Sequence, residues 1–319
     1  MSCVWRKIRF FLYTVLLLII FPVTSCSRSD AVQNSDSGSV TAKPLAAKSL
    51  IAKPLVAASI LPQYWFIERI GGEQVRTMAL VGPGQNPHNY EPTPKQMAAL
   101  AEAKVWLLSG AEFEISLRPK IESLFPRLII IDGTAGVNFR SLEEHEDDDH
   151  NDEDSNIDRH TWLGPESAKI MAAHIRDILS QIDEDGVSLY ADNYSALVRD
   201  IDTEFDRLRK ELAPLRGSVV FVYHPSFGYF LDEFGIEQRA IESGGKEPGP
   251  RDLTRIMEEA RREKAAAIFV QAQFPVQAAQ TAAASIGAEL VALDPLSPDW
   301  LANIRIMGEA LKKAARGKE

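Results

Sequence analysis

Six histidines occur among the 319 residues of this chain, and histidine is the commonest side chain to ligate a metal at neutral pH. Three of them stand where a ligand would be useful. His88 lies in Gly82-Pro83-Gly84-Gln85-Asn86-Pro87-His88-Asn89-Tyr90, after an apolar run and before a helical pattern. His224 directly follows the apolar run 218–223, and Asp294 closes the run 289–293. His160, in Asp158-Arg159-His160-Thr161-Trp162, ends a long polar stretch at the mouth of a helix. Three imidazoles and one carboxylate form a coherent ligand set for Zn²⁺, a borderline ion that takes nitrogen and oxygen ligands tetrahedrally. The three histidines alone would equally suit a catalytic zinc with an open fourth position. An imidazole must be neutral to ligate, so affinity is expected to fall below about pH 6.5.

The other histidines differ. His145 and His150 lie within residues 143–158, beside ten Asp and Glu residues. Such a block could collect Zn²⁺ weakly through its negative field, and it equally suits a solvated insertion with no metal role. His174, in Ile170-Met171-Ala172-Ala173-His174-Ile175, reads as an ordinary helical histidine. The two cysteines, Cys3 and Cys26, cannot supply a disulfide scaffold or a cysteine-rich zinc site.

Short apolar runs alternate with helix-length segments, which predicts an α/β fold with mostly parallel strands. In the first half the expected strands are 55–59, 75–81, 105–109 and 128–132, with helices from about Pro62, Thr93 and Phe113. Thr93-Pro94-Lys95-Gln96 has the form of a capping box with proline at the first helical position. Gly71-Gly72 ends the preceding helix, and Gly287 fits a helix C-cap. The second half repeats the scheme with strands 218–223, 236–241, 266–270 and 289–293. Its expected helices are 226–233, 252–263, 275–286 and 298–315.

Residues 187–212 form one long charged helical pattern between the halves. Leu189, Tyr194, Leu197, Ile201, Phe205, Leu208 and Leu212 make its apolar stripe, while Arg199, Asp202, Glu204, Arg207 and Lys210 face elsewhere. A helix of ~26 residues spans about 39 Å, enough to run behind two lobes and restrict their motion. The expected organisation is an N-terminal lobe at 54–186, a linking helix at 187–213 and a C-terminal lobe at 214–319. Strand carboxyl ends are where open α/β sheets bind ligands, so the chosen residues should meet in the cleft between the lobes.

The N-terminus reads as an address. Arg6, Lys7 and Arg9 precede an apolar run from Phe10 to Phe21, too short for the roughly 20 residues of a spanning helix. A signal peptide at 1–25 fits. Val23-Thr24-Ser25-Cys26 resembles the lipobox of bacterial lipoproteins, which implies lipidation of Cys26 as the mature first residue. Residues 26–53 are rich in Ser, Ala, Lys, Pro and Asp, a composition that cannot offset chain entropy by burial and suits a tether. The net charge of −10 excludes a nucleic-acid partner, and loss of the signal makes the mature chain three charges more negative.

Asn86-Pro87-His88-Asn89-Tyr90-Glu91-Pro92-Thr93-Pro94 resembles the first-ligand motif of the zinc/manganese solute-binding proteins of ABC uptake systems. Ile70-Gly71-Gly72, Ser109-Gly110-Ala111, His160-Thr161-Trp162-Leu163, His224-Pro225-Ser226-Phe227-Gly228-Tyr229-Phe230 and Leu293-Asp294-Pro295-Leu296 follow that family's pattern in order. The resemblance covers the chain from Leu55 onward. It implies two Rossmann-like lobes, a rigid linking helix and one divalent ion between them, held by His88, His160, His224 and the acidic position Asp294. A water or another group can take the fourth place in zinc-binding members. Manganese members tend to carry a carboxylate where this chain has His224, and a nitrogen-rich site favours zinc. Arg159 stands where a proline usually precedes the second ligand, and Gln271 replaces a common glutamate.

The implied protein is a monomeric, lipid-anchored extracytoplasmic receptor that delivers Zn²⁺ to an ABC permease. The alternatives are a manganese receptor or adhesin-like lipoprotein of the same family, or a three-histidine zinc hydrolase. The hydrolase lacks support, as neither an HExxH pair nor a GxSxG elbow occurs.

Overall fold

Strand β1 (Leu55–Ala58) is buried at every position, as a strand covered by helices on both faces must be. It pairs in parallel with β2 (Arg76–Ala79) on one side and β3 (Val105–Leu108) on the other, and β4 (Ile129–Asp132) lies beyond β3. The order is β2-β1-β3-β4. Strands β5 (Val219–Val222), β6 (Glu237–Ala240), β7 (Ala267–Val270) and β8 (Glu289–Ala292) repeat it as β6-β5-β7-β8, again all parallel. The computed structural model describes residues 52–142, 156–242, 249–265, 267–271, 273–274 and 277–316. The expected signal peptide, Cys26, nearly all of the tether, and His145 and His150 lie outside the described residues.

Parallel neighbours require crossovers, and helices supply them. In the first lobe these are α1 (Leu61–Gly71), α2 (Pro94–Glu102) and α3 (Glu112–Leu124), followed by α4 (Pro165–Ile182). The capping box at α2 forms: Gln96 N donates to Thr93 Oγ1, and Thr93 N donates to Gln96 Oε1 at 3.0 Å. The same glutamine donates to Leu80 O at 2.7 Å and accepts from Tyr90 at 2.8 Å, which ties both ends of the His88 loop to the helix.

Helix α5 (Val187–Glu211) joins the lobes and packs on α1, α4 and the terminal helix α9 (Trp300–Arg316). Leu197, Ile201, Phe205, Leu208 and Leu212 are fully buried. The stripe starts at Tyr190, however, with Leu189 left exposed. Tyr190 is seven residues before Leu197, two helical turns, and its hydroxyl donates to Asp183 at 2.5 Å. Glu204 is also not on the outer face. It is buried, paired with Arg207 on its own helix and with Arg305 of α9 at 2.9 Å. Trp300 of α9 lies 5.1 Å from Phe66 of α1, ring to ring, and buried apolar residues from both lobes form a continuous cluster around α5, while the other face of the second sheet has a cluster of its own.

The second lobe carries α6 (Gly228–Asp232), α7 (Pro250–Arg262) and α8 (Gln277–Ile286). Helix α6 begins two residues later than Ser226 and is short. Ser226 Oγ accepts from Gln271 Nε2 at 2.9 Å and so is engaged away from the helix that it was expected to open.

Candidate metal centre

His88 sits in a single 3-10 turn, Pro87–Asn89, whose start is fixed by Asn86 Oδ1 accepting from His88 N at 2.9 Å. Its Nδ1 is 2.5 Å from Glu112 Oε2, in the first turn of α3. His160 caps a second 3-10 turn, Thr161–Leu163, and both its Nδ1 and its backbone N lie 2.9 Å from Asp158 Oδ1. His224 leaves β5 at the sheet's switch point, and its Nδ1 is 2.6 Å from Glu242 Oε1, just past β6.

Each imidazole thus directs Nδ1 to a carboxylate and Nε2 to the same point between the lobes. His88 Nε2 is 3.1 Å from His224 Nε2, and His224 Nε2 is 3.3 Å from His160 Nε2. All three lie within 4.8 Å of one another. Four ligands around zinc at about 2.0–2.1 Å place neighbouring nitrogens roughly 3.3–3.4 Å apart, so the two edges that meet at His224 already have nearly the length of that tetrahedron's. The site deepens from the first lobe to the second, with side-chain exposures of 30% at His88, 11% at His160 and 7% at His224. Phe274 stacks on His224 at 4.4 Å, and Trp162 stands edge-on to His160 at 5.4 Å, so apolar rings limit water around both.

The charge states suit ligation. Burial pushes the His224 imidazole well below its ordinary pKa, and the facing His160 and His88 add to the shift, so it stays neutral. The hydrogen bond from His88 holds the Glu112 carboxyl below the usual range against the cost of burial. Burial alone would raise Asp158, but His160 and Arg140 outweigh it and leave that carboxyl lowered. Anionic partners on Nδ1 fix the tautomer and make the opposite nitrogen a better donor to a metal.

Asp294 is not part of this cluster. Its Oδ1 accepts from Gln273 Nε2 at 2.7 Å and from Leu296 N at 2.9 Å. The structure gathers three of the four expected groups, two from the first lobe and one from the second. His174 lies apart, its Nε2 2.9 Å from Ala135 O. The two departures from the family pattern both acquire partners. Gln271 Nε2 donates to His224 O at 2.7 Å while its Oε1 accepts from His224 N at 3.3 Å, so one side chain holds both sides of that backbone. Arg159 Nη1 donates to Gly110 O at 3.2 Å, bridging the His160 segment to the loop before α3.

Sequence reasoning missed the three carboxylates as histidine partners. Glu242 follows an apolar run at a strand's carboxyl end, the position that singled out Asp294, and the same rule would have found it. Asp158, two residues before His160, was read only as part of the acidic block. Glu112 carries no local signal, because its contact with His88 depends on how α3 docks.

A family model described as "ZnuA: Zinc-uptake complex component A periplasmic" matches residues 56–314. A crystal structure of ZnuA superposes with a TM-score of 0.75 at 32% identity, covering 82% of this chain and 98% of that one. The high-affinity zinc uptake system protein ZnuA of Bacillus subtilis is 25% identical over 243 residues, 74% of this chain and 76% of its own. The zinc-binding lipoprotein AdcA of Streptococcus pneumoniae is 26% identical over 242 residues, 74% of this chain but only 48% of that longer protein. The match of a family model across nearly all the described residues, together with the shared fold, shows that this chain belongs to the ZnuA family of periplasmic zinc-uptake components.

Proposed function

We propose that His88, His160 and His224 together hold one Zn²⁺ as cargo, and that the chain is the receptor that passes it to an ABC importer. One observation carries the site assignment. Each Nδ1 is set against a carboxylate, and the three Nε2 atoms converge, that of His224 lying 3.1 Å from His88 Nε2 and 3.3 Å from His160 Nε2. Neutral imidazoles so disposed turn three acceptors toward one point. A cation resolves that arrangement. Nitrogen ligands favour zinc over the harder manganese ion, and Glu112, Asp158 and Glu242 supply negative charge behind each ligand. Membership of the family makes the chain a binding component and not an enzyme.

Capture and release follow from where the ligands are mounted. Two come from first-lobe loops and one from the second lobe, so a shift of a few tenths of an ångström between lobes lengthens metal bonds that require about 2.0–2.1 Å. The common core around α5 opposes wide opening, and release upon docking to a permease would proceed by such small displacements. Asp294 or a water would complete the coordination. Lipidation at Cys26, a monomeric state and zinc collection by His145 and His150 belong to this reading and rest on the sequence.

Calorimetric titration of the metal-free protein should show one tight zinc per chain. His224→Ala should lose more than the roughly 10–100-fold in affinity that removal of an outer partner costs. Unchanged affinity in that variant would refute the assignment. A thermal-shift competition in which Mn²⁺ displaced Zn²⁺ at equal concentration would refute the choice of metal.

A further inference from the structure

Asp158 has one oxygen on His160 and the other on Arg140, whose Nη1 donates to Asp158 Oδ2 at 2.7 Å. The side chain of Asp158 is wholly buried, so its second oxygen needs a fixed partner there. Arg140 belongs to the first lobe, on the segment after β4, and accepts from Asp158 N at 2.9 Å through its own carbonyl. Its Nε reaches across to the second lobe and donates to Asp232 Oδ2, the last residue of α6, at 2.8 Å. A further second-lobe residue joins in. Arg140 N donates to the Tyr229 hydroxyl at 3.1 Å, and that hydroxyl donates to Asp158 O at 3.2 Å.

Close approach of the two lobes is needed for this arrangement. A Cβ built on Gly228 would fall 1.8 Å from Arg140 Nη1 and 2.8 Å from Asp158 Oδ2. Only glycine lets the backbone of α6 lie over the guanidinium. Helix α6 begins four residues after His224, so the part of the second lobe that grips Arg140 is the part that carries its metal ligand.

We propose that Arg140 is a positioning residue, a strap that makes the orientation of His160 depend on contact between the lobes. The inference rests on the zinc site proposed above and adds to it a route for release. With the lobes together, the planar guanidinium bridges Asp232 and Asp158, and Asp158 in turn presents His160 Nε2 to the metal. Separation removes Asp232 and the Tyr229 hydroxyl at once. Arg140 is then held from one side only, Asp158 gains freedom to turn, and His160 loosens while His224 is drawn away. Ligands from both lobes weaken in the same movement.

The test is the rate of zinc transfer to a chromophoric chelator in stopped flow, on the full chain, for Arg140→Ala, Arg140→Lys, Asp232→Asn and the double variant Arg140→Ala/Asp232→Asn. Thermal stability of the metal-free forms is measured alongside. Arg140→Ala should release zinc about 10–100-fold faster. Arg140→Lys, which can hold Asp158 but cannot fork to both carboxylates, should fall between it and the parent. Asp232→Asn removes the charge from the second-lobe end while keeping its shape, at a half-exposed residue, so the protein folds, and the weakened bond should quicken release several-fold. In the double variant Asp232→Asn should add nothing, because its effect passes through Arg140. Parental release rates in Arg140→Ala and in Asp232→Asn, or an Asp232→Asn effect of full size without Arg140, would overturn the strap. Should Arg140→Ala fail to fold, Asp232→Asn and Arg140→Lys decide the matter by the same rates. His160→Ala serves as the control for the site. Undiminished zinc binding in that variant would overturn the metal centre, and the strap with it.

Discussion

The two lobes have the same strand order and therefore the same crevice, where the two central strands diverge at their carboxyl ends. In each, a buried glutamine holds the ends together. Gln63 accepts from Ser59 N and donates to Leu108 O, joining β1 to β3. Gln271, at the end of β7, holds both sides of His224 at the end of β5. What fills the remaining space differs. In the first lobe Glu114, also buried, accepts from Ser109 N, Ser109 Oγ and Gly110 N at 2.7–2.9 Å and closes the crevice with the protein's own carboxylate. In the second lobe His224 turns its Nε2 outward. The fold offers two equivalent sites, and side chains assign one to architecture and one to ligand. The first lobe must then bring its histidines from elsewhere, His88 from beyond the edge strand β2 and His160 from the approach to α4.

Exchanging each glutamine for alanine gives the sharpest way to break this comparison. Gln271→Ala frees the backbone on both sides of His224 and should weaken zinc about 10–100-fold, as loss of an outer support does. Gln63→Ala, at the glutamine that joins β1 to β3 in the first lobe, removes one hydrogen bond from Ser59 N and one from Leu108 O, which keep Leu107 O and Gly133 N as partners. It should cost about 0.5–1.5 kcal/mol in stability for each bond and leave zinc affinity unchanged. Equal effects of the two substitutions on zinc titrations would show that the crevices are not divided as described. A smaller effect is expected at Glu114. Glu114→Gln keeps the shape but turns one acceptor into a donor facing an N–H, so chemical denaturation should show a loss of about 1–3 kcal/mol with zinc stoichiometry intact.

Most of the architecture can be read from the chain because it follows from burial. The central strands β1, β3, β5 and β7 are wholly apolar runs, since strands covered on both faces have no polar alternation to blur them, whereas the edge strands β2 and β6 carry polar residues and are marked mainly by the apolar residues that flank them. His224 is legible because it stands where β5 ends and His160 because it precedes α4, while His88 lies in the loop between β2 and α2 and is marked by the residues around it. Partners set by docking are not legible. Nothing near Glu112 in sequence points to His88, and the strap from Arg140 to Asp232 spans 92 positions. Ser226 resembles a helix cap, yet Gln271, 45 residues away, takes its hydroxyl. Asp294 satisfies the same positional rule as His224, yet its Oδ1 is engaged by Gln273 and by the backbone of its own loop, and neither contact is visible in the local sequence pattern.

The two crevices should also respond to acid with opposite signs. Burial lifts the Glu114 carboxyl above its ordinary range against the pull of its hydrogen bonds, so the folded chain binds this proton more readily than the unfolded one. Its contribution to stability therefore grows as pH falls through the folded value. Burial, with His160 and His88, lowers His224, so the unfolded chain takes up that proton first. Stability is unaffected by His224 above about pH 6.5, and it is lost as pH falls from there toward the folded value. In metal-free protein, melting temperatures taken from pH 7 to pH 5 should decline, because that window holds the His224 change and precedes most carboxyl titration. His224→Gln should flatten the decline by at most one proton, about 1.4 kcal/mol per pH unit. Glu114→Gln should leave the slope in this window steeper or unchanged, as it removes the opposing contribution. Parallel curves for the parent and His224→Gln would mean that His224 is not held neutral by its surroundings, and the second crevice would then lose its claim to be poised for a cation.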